Sequence, residues 1–266
     1  MTSAIALARA ELRILARDRV AAFNVVVVPL FAAIYLVTNP PPAEEIPGPL
    51  AAAGAAVLLA VFTSVALVLK SVMTLVQRRE QHLLERWRIS GTAPAAILAG
   101  TLAPGVLLLA GGIAVMFAAL AIALDQAPVQ PFWLVLAVVL ATALGGTAAT
   151  FTAAYARTTE SASVVALPIF AALLGGGIWA TLVPLGEVTW RMRGTGGGAL
   201  TELVRIGWEG PTDATGFVAA ASAAGPSLLV LLTLTGALGV AGTCTFRWSP
   251  RAQRGGWSRR SSQRES

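Results

Sequence analysis

The chain has 266 residues, 56% of them hydrophobic and 12% charged, with a formal net charge of +6. Several uncharged apolar runs reach the ~18–20 residues needed to cross a ~30 Å hydrocarbon core as helix, which excludes an ordinary water-soluble domain. Alternating segments of roughly ten residues, the mark of an outer-membrane barrel, do not occur, so the expected class is an all-α integral membrane protein.

In chain order, Ser3 to Arg19 place Ile5, Ala8, Leu12 and Leu15 on one helical stripe and Arg9, Arg13 and Arg17 on a neighbouring one. This predicts an interfacial amphipathic helix over residues 1–19. The first apolar run ends in Asn39-Pro40-Pro41-Pro42 instead of a small-residue cleavage site, so it reads as a span and not as a signal peptide. Six spans are predicted within residues 20–247: Val20 to Val37, Leu50 to Val76, Ala95 to Leu124, Phe132 to Ala156, Ser163 to Leu185 and Phe217 to Phe246. Lys70 is close enough to one end of the second span to snorkel to the phosphates. Pro104 and Pro226 predict tilt or a kink in the third and sixth. The single cysteine, Cys244, excludes an intramolecular disulfide and reads as a small apolar filler. Residues 248–266 are Arg/Ser-rich and are expected to form a disordered basic tail.

Charge asymmetry sets the expected orientation. With the N-terminus inside, 16 of the 19 Lys and Arg residues fall on the cytoplasmic side, leaving only Arg191, Arg193 and Arg205 outside. The positive-inside rule then puts both termini of a multi-pass protein in the cytoplasm. The basic balance reflects topology and anionic lipid, with no nucleic acid implied.

Two stretches between spans stand out. Gln77 to Gly100 is a densely charged island, with a helix expected over about 77–91; the outward side, Glu187 to Thr215, holds Leu200, Leu203, Val204 and Trp208 at helical spacing. The second reads as a short amphipathic helix lying at or dipping into the outer interface, led by Gly194 and Gly196 to Gly198.

Several chemistries lack their residues. His82 is the only histidine, which rules out HExxH zinc sites and reads as a solvated helix residue, and no metal site or catalytic group is expected. The only Lys-Ser pair, Lys70-Ser71, lies in an apolar helix without the glycines of a phosphate-binding loop. None of the six predicted spans carries an acid of the kind that binds a coupling ion. Glycine clusters at Gly111-Gly112, Gly145-Gly146 and Gly175 to Gly177 read as helix-packing features. Thr63, Ser64, Gly176 and Gly177 are candidates to line a substrate path.

A helix bundle with transport-like polarity, no energy source and a charged internal helix resembles the type-2 ATP-binding-cassette exporter permeases, which include bacterial drug and antibiotic self-resistance exporters. The resemblance is carried by Arg79-Glu80, Leu84-Glu85, Ser90 and Leu98-Ala99-Gly100, which follow the order of the family pattern RE.E.GTLE.L..SP......LGK. It extends to ARAELRILARDRVAAF near the start and to FRWSPR at Phe246 to Arg251. His82-Leu83 stand where the family usually has Gly-Thr, Gly91 replaces its proline, Thr101 replaces its frequent lysine, and the Asn-Pro before the outer helix is absent.

The resemblance implies a bacterial inner-membrane exporter of a hydrophobic or amphiphilic substrate, such as a drug, antibiotic or lipid. Its partners would be two copies of a cytoplasmic ATPase subunit, a second permease subunit as homo- or heterodimer, and membrane lipids. ATP and Mg would be bound by the ATPase and no cofactor by this chain. Residues 77–91 would be the coupling helix, with Leu83, Leu84 and Trp87 as apolar anchors and Glu80, Glu85, Arg86 and Arg88 paired with ATPase charges. Two other readings stay open: a non-transporting membrane scaffold or sensor subunit, and a secondary transporter.

Overall fold

A computed structural model describes residues 50–123, 125–211, 216–246 and 248, together with Arg13, Phe31, Ile34 and Thr38. Apart from those single residues, the amphipathic helix expected over 1–19, the span expected over 20–37 and the tail beyond Trp248 lie outside the described residues. All described elements are helical.

Leu50–Phe62, Thr63–Leu69 and Lys70–Glu80 run on as one helix, α1, whose middle segment is π-helical. It is followed by α2 (Leu83–Ile89), α3 (Pro94–Ala123), α4 (Pro131–Tyr155), α5 (Thr159–Thr181), the short α6 (Trp190–Gly194), α7 (Gly197–Glu209) and α8 (Phe217–Thr245). Five of these, α1, α3, α4, α5 and α8, are long and apolar enough to cross a membrane. They alternate in direction: the end of α1 meets the end of α4 and the start of α5, the start of α8 meets the start of α4, and the end of α8 returns beside α2.

Helix ends follow local chemistry more closely than hydropathy. The fifth expected span, Ser163 to Leu185, is displaced to Thr159–Thr181 because Thr158 and Ser161 form a reciprocal capping box, with Glu160 in the positive first turn. Both α3 and α8 continue through their prolines, and Pro168 also lies inside α5.

The core lies along α1. Of its most apolar window 78% is buried, against 56% for α4 and 22–28% for α3, α5 and α8, so α1 is the central post and the others present apolar flanks outward. Small residues permit that centrality: a Cβ on Gly112 would meet the Phe62 ring at 2.4 Å, and one on Gly145 would meet Leu67 at 2.6 Å. Cys244 is exposed in the last turn of α8 and fills no gap in the core, because α8 turns most of its surface outward.

Candidate functional site

At one end of the bundle, α1 does not stop where its apolar run ends at Val76 but continues to Glu80. Gln81 and His82 then turn the chain, His82 with φ 55° and ψ 17°, and α2 begins at Leu83. The helix expected over about 77–91 is therefore two pieces, the last turn of α1 and the seven-residue α2. His82 is a turn residue and not a helical one. Its left-handed backbone is rare for residues with a Cβ, though histidine is among those enriched there. Its Nδ1 lies 3.2 Å from Glu85 Oε2, which holds the first turn of α2. Gly91, at φ 83°, closes the far end.

The charged-loop residues divide by direction. Leu84 is fully buried, and Trp87 is half-buried against the core. Leu83 and Glu85 are also half-buried, while Arg86 and Arg88 are exposed. Ile89 is 79% exposed. An open groove of about 330 Å³ is lined by Glu85, Arg88, Ile89 and Trp248. The Arg88 guanidinium sits over the Trp248 ring at 5.7 Å, and Trp248 meets Phe246 edge to face at 5.0 Å. The segment after the last span thus forms one wall beside α2. Glu80 turns the other way: its carboxylate accepts from the Thr159 amide at 3.0 Å and from the Thr159 hydroxyl at 2.5 Å.

The opposite end holds the second stretch singled out by its pattern. Of the two placements expected for this segment, lying at the outer interface or dipping into it, the described residues fit the second. Residues 196–208 are all buried, packed among α1, α4, α5 and α8. Helices α6 and α7 form a re-entrant hairpin, and Gly196, at φ 76°, makes its tip. Gly196 lies against Leu144, Leu173 and Leu234. Leu144 is 13 residues into the 25-residue α4, roughly 20 Å along it at ~1.5 Å per residue, so the tip reaches the middle of the bundle.

Charge enters with the hairpin and is matched there. Arg193 on α6 donates Nε and Nη2 to the two Glu202 oxygens on α7, both at 2.6 Å, and the Ser227 hydroxyl on α8 donates to Glu202 Oε2. The guanidinium also lies 5.5 Å from the Trp190 ring centroid. Arg205, 1% exposed, donates to Ala180 O at 3.2 Å, Val183 O at 2.6 Å and Glu209 Oε1 at 2.8 Å. It satisfies carbonyls that the end of α5 leaves without helical partners. Gln130 adds a tie from the α3–α4 connection, its backbone N–H donating to Gly207 O at 2.9 Å.

Arg205→Lys should therefore destabilise the chain although it conserves the charge, because one ammonium cannot reproduce the fork. A loss of about 1.5–3 kcal/mol is expected, read from the unfolding midpoint of the purified protein in lipid-like detergent.

The four candidate path residues sit where the hairpin docks or where α1 is packed. Thr63 and Ser64 are fully buried in the π segment, and their hydroxyls donate to Leu59 O and Ala60 O of their own helix, both at 2.7 Å. A Cβ on Gly176 would lie 1.9 Å from Thr195 Oγ1, and one on Gly177 would lie 2.8 Å from the Ala60 methyl. Thr201 donates to Gly177 O at 3.3 Å. In this conformation all four are buried.

Sequence reading missed Arg79, Glu202, Arg205 and Ser227 as organising residues. The spacing of Glu202, Arg205 and Glu209 on one helix was a signal, since polar groups three and four apart can pair with one another instead of with water. Glu202 is an acid held among the spans, though on none of them. Its partner Arg193 matches its charge, so it is no free ion-binding group. No group of metal-ligating side chains occurs among the described residues. Compared with known protein families, characterised proteins and solved structures, the chain matches none.

Proposed function

We propose that this chain is the membrane-spanning permease subunit of an exporter driven by a separate ATPase of the ATP-binding-cassette class. The observation that carries the reading is α2. It is a short charged helix set between two left-handed turns at one end of an apolar bundle, rooted by buried Leu84 and presenting Arg86, Arg88 and an almost bare Ile89 outward. A large apolar side chain left exposed among charges fits a surface that another protein covers. The resemblance noted in the sequence adds support, for His82 takes a left-handed conformation at the position where that family carries glycine.

In this reading the α2 end faces the cytoplasm and receives the stroke of the ATPase dimer. Leu84 transmits it to the core, while Trp87, Arg86, Arg88 and Ile89 form the contact. The hairpin closes the opposite half of the bundle. Its withdrawal would uncover Thr63, Ser64, Gly176 and Gly177 as a path of hydroxyl and backbone groups suited to a hydrophobic or amphiphilic substrate. Export then consists of alternation between a state with the hairpin docked and one with it displaced.

The test is affinity purification from native membranes with the wild-type chain and Ile89→Glu. A magnesium-dependent ATPase that co-purifies and is stimulated by an amphiphilic compound is expected with the wild type. Ile89→Glu should weaken that association about thirtyfold, as for a central interface residue. A stable complex containing no nucleotide hydrolase would point instead to a scaffold, and transport that survives without ATP but collapses with the proton gradient would point to a secondary transporter.

A further inference from the structure

Two adjacent side chains at the end of α1 hold two different helix ends. Arg79, 4% exposed, donates Nη1 to Ala153 O at 3.0 Å and Nη2 to Ala156 O, at the C-terminal end of α4. These carbonyls lie where a helix runs out of its own donors. Glu80 accepts from the Thr159 amide and hydroxyl, at the first residue of α5. A carboxylate there meets free amides and the positive end of the helix dipole. Only Ala156 to Thr158 separate the two helices, and α2 begins three residues after Glu80.

The geometry points to Arg79 and Glu80 as positioning residues, a two-sided clamp that makes the ends of α1, α4 and α5 one body and so carries movement of α2 into the α4–α5 pair. Glu80 then acts within the chain, and its carboxylate is occupied before any partner arrives. The mechanical role rests on the exporter reading above; the clamp itself does not. Rigid linkage of this kind is what lets a short helix outside the membrane move long helices within it, because a packed and hydrogen-bonded junction shifts between discrete arrangements instead of bending.

Glu80→Gln separates this role from a charge contact with an ATPase. Its Oε1 can accept from the Thr159 amide and its amide can donate to the Thr159 hydroxyl, so both bonds survive while the charge is lost. Glu80→Ala loses both. In a Cys244→Ser background, spin labels at Arg86→Cys and Arg157→Cys, two exposed positions flanking the clamp, report the distance between α2 and the α4–α5 connection. A single narrow distribution is expected for the chain with Glu80, a broad one for Glu80→Ala, and a narrow one again for Glu80→Gln. A distribution for Glu80→Ala as narrow as with Glu80 overturns the clamp, as does a Glu80→Gln variant as broad as Glu80→Ala.

The second measurement uses the chain reconstituted in vesicles with its co-purified ATPase. Substrate moved per ATP hydrolysed should fall about tenfold in Glu80→Ala, with hydrolysis continuing, and recover in Glu80→Gln. Equal loss in both variants would return Glu80 to a charge contact and overturn its positioning role. If the wild-type chain retains no ATPase, the exporter reading fails by itself, and the spin-label distances still decide the clamp.

Discussion

Replacing Glu202 with leucine while Arg193 remains should cost about 2–3 kcal/mol, below the ~3–5 kcal/mol of a fully buried pair because Arg193 is partly exposed. The reason is the guanidinium left behind. Arg193 donates two bonds to Glu202, and with side chains 13% and 4% exposed, water can replace the lost carboxylate only in part. The paired change Arg193→Met with Glu202→Leu should recover most of the loss, since it removes both charges and keeps the volume. Ser227 can then bond to a carbonyl one turn back in α8, as Thr63 and Ser64 do in α1. Unfolding midpoints in lipid-like detergent measure all three proteins. A single variant no less stable than the double would show that the pair is solvated and that the hairpin does not enclose it.

The second large effect is steric. Alanine at Gly197 would place its Cβ 1.8 Å from the Leu173 carbonyl oxygen and 2.9 Å from the Gly177 nitrogen, both backbone atoms. A side chain could rotate away, but backbone cannot, so α7 must leave α5. The cost should reach about 3 kcal/mol or more, at or above the upper end for overpacking. Gly175→Ala is the matching control: nothing lies within 4 Å of its Cβ position, and alanine is the better helix former by about 1 kcal/mol. The position of the hairpin can be read directly. In a Cys244→Ser background, Thr195→Cys should resist a membrane-impermeant maleimide, because the tip is enclosed. Adding Gly197→Ala should expose it. Labelling that is equally fast with and without the alanine would mean that the tip is open already.

How far the site was legible depended on whether a residue's partner lay nearby in sequence. The segment 83–89 could be read as a helix from its own pattern, but Leu84, expected as an anchor toward a partner, is buried in the chain's own core, since one face of a short helix beside a bundle must be buried. Glu80 looked equivalent to Glu85, five residues on, but the two differ because Thr159 lies beside one of them. That pairing spans 79 residues and leaves no local trace. His82 illustrates the same limit: its composition fits a solvated helix, and only the left-handed backbone shows that the helix has ended there.

By itself the sequence determined the helical class, the approximate extent of the five described long helices and the isolation of a charged loop. These depend on the length and polarity of local runs, which a low-dielectric core permits only as helix. The tertiary structure alone decided the fate of residues 187–211. An amphipathic pattern says that one face is polar, not whether that face meets water or other side chains. Here Arg193, Glu202, Arg205 and Glu209 satisfy one another, Ser227 and the carbonyls at the end of α5, so of the two placements the pattern allowed, at the interface or dipping into it, residues 196–208 take the inward one.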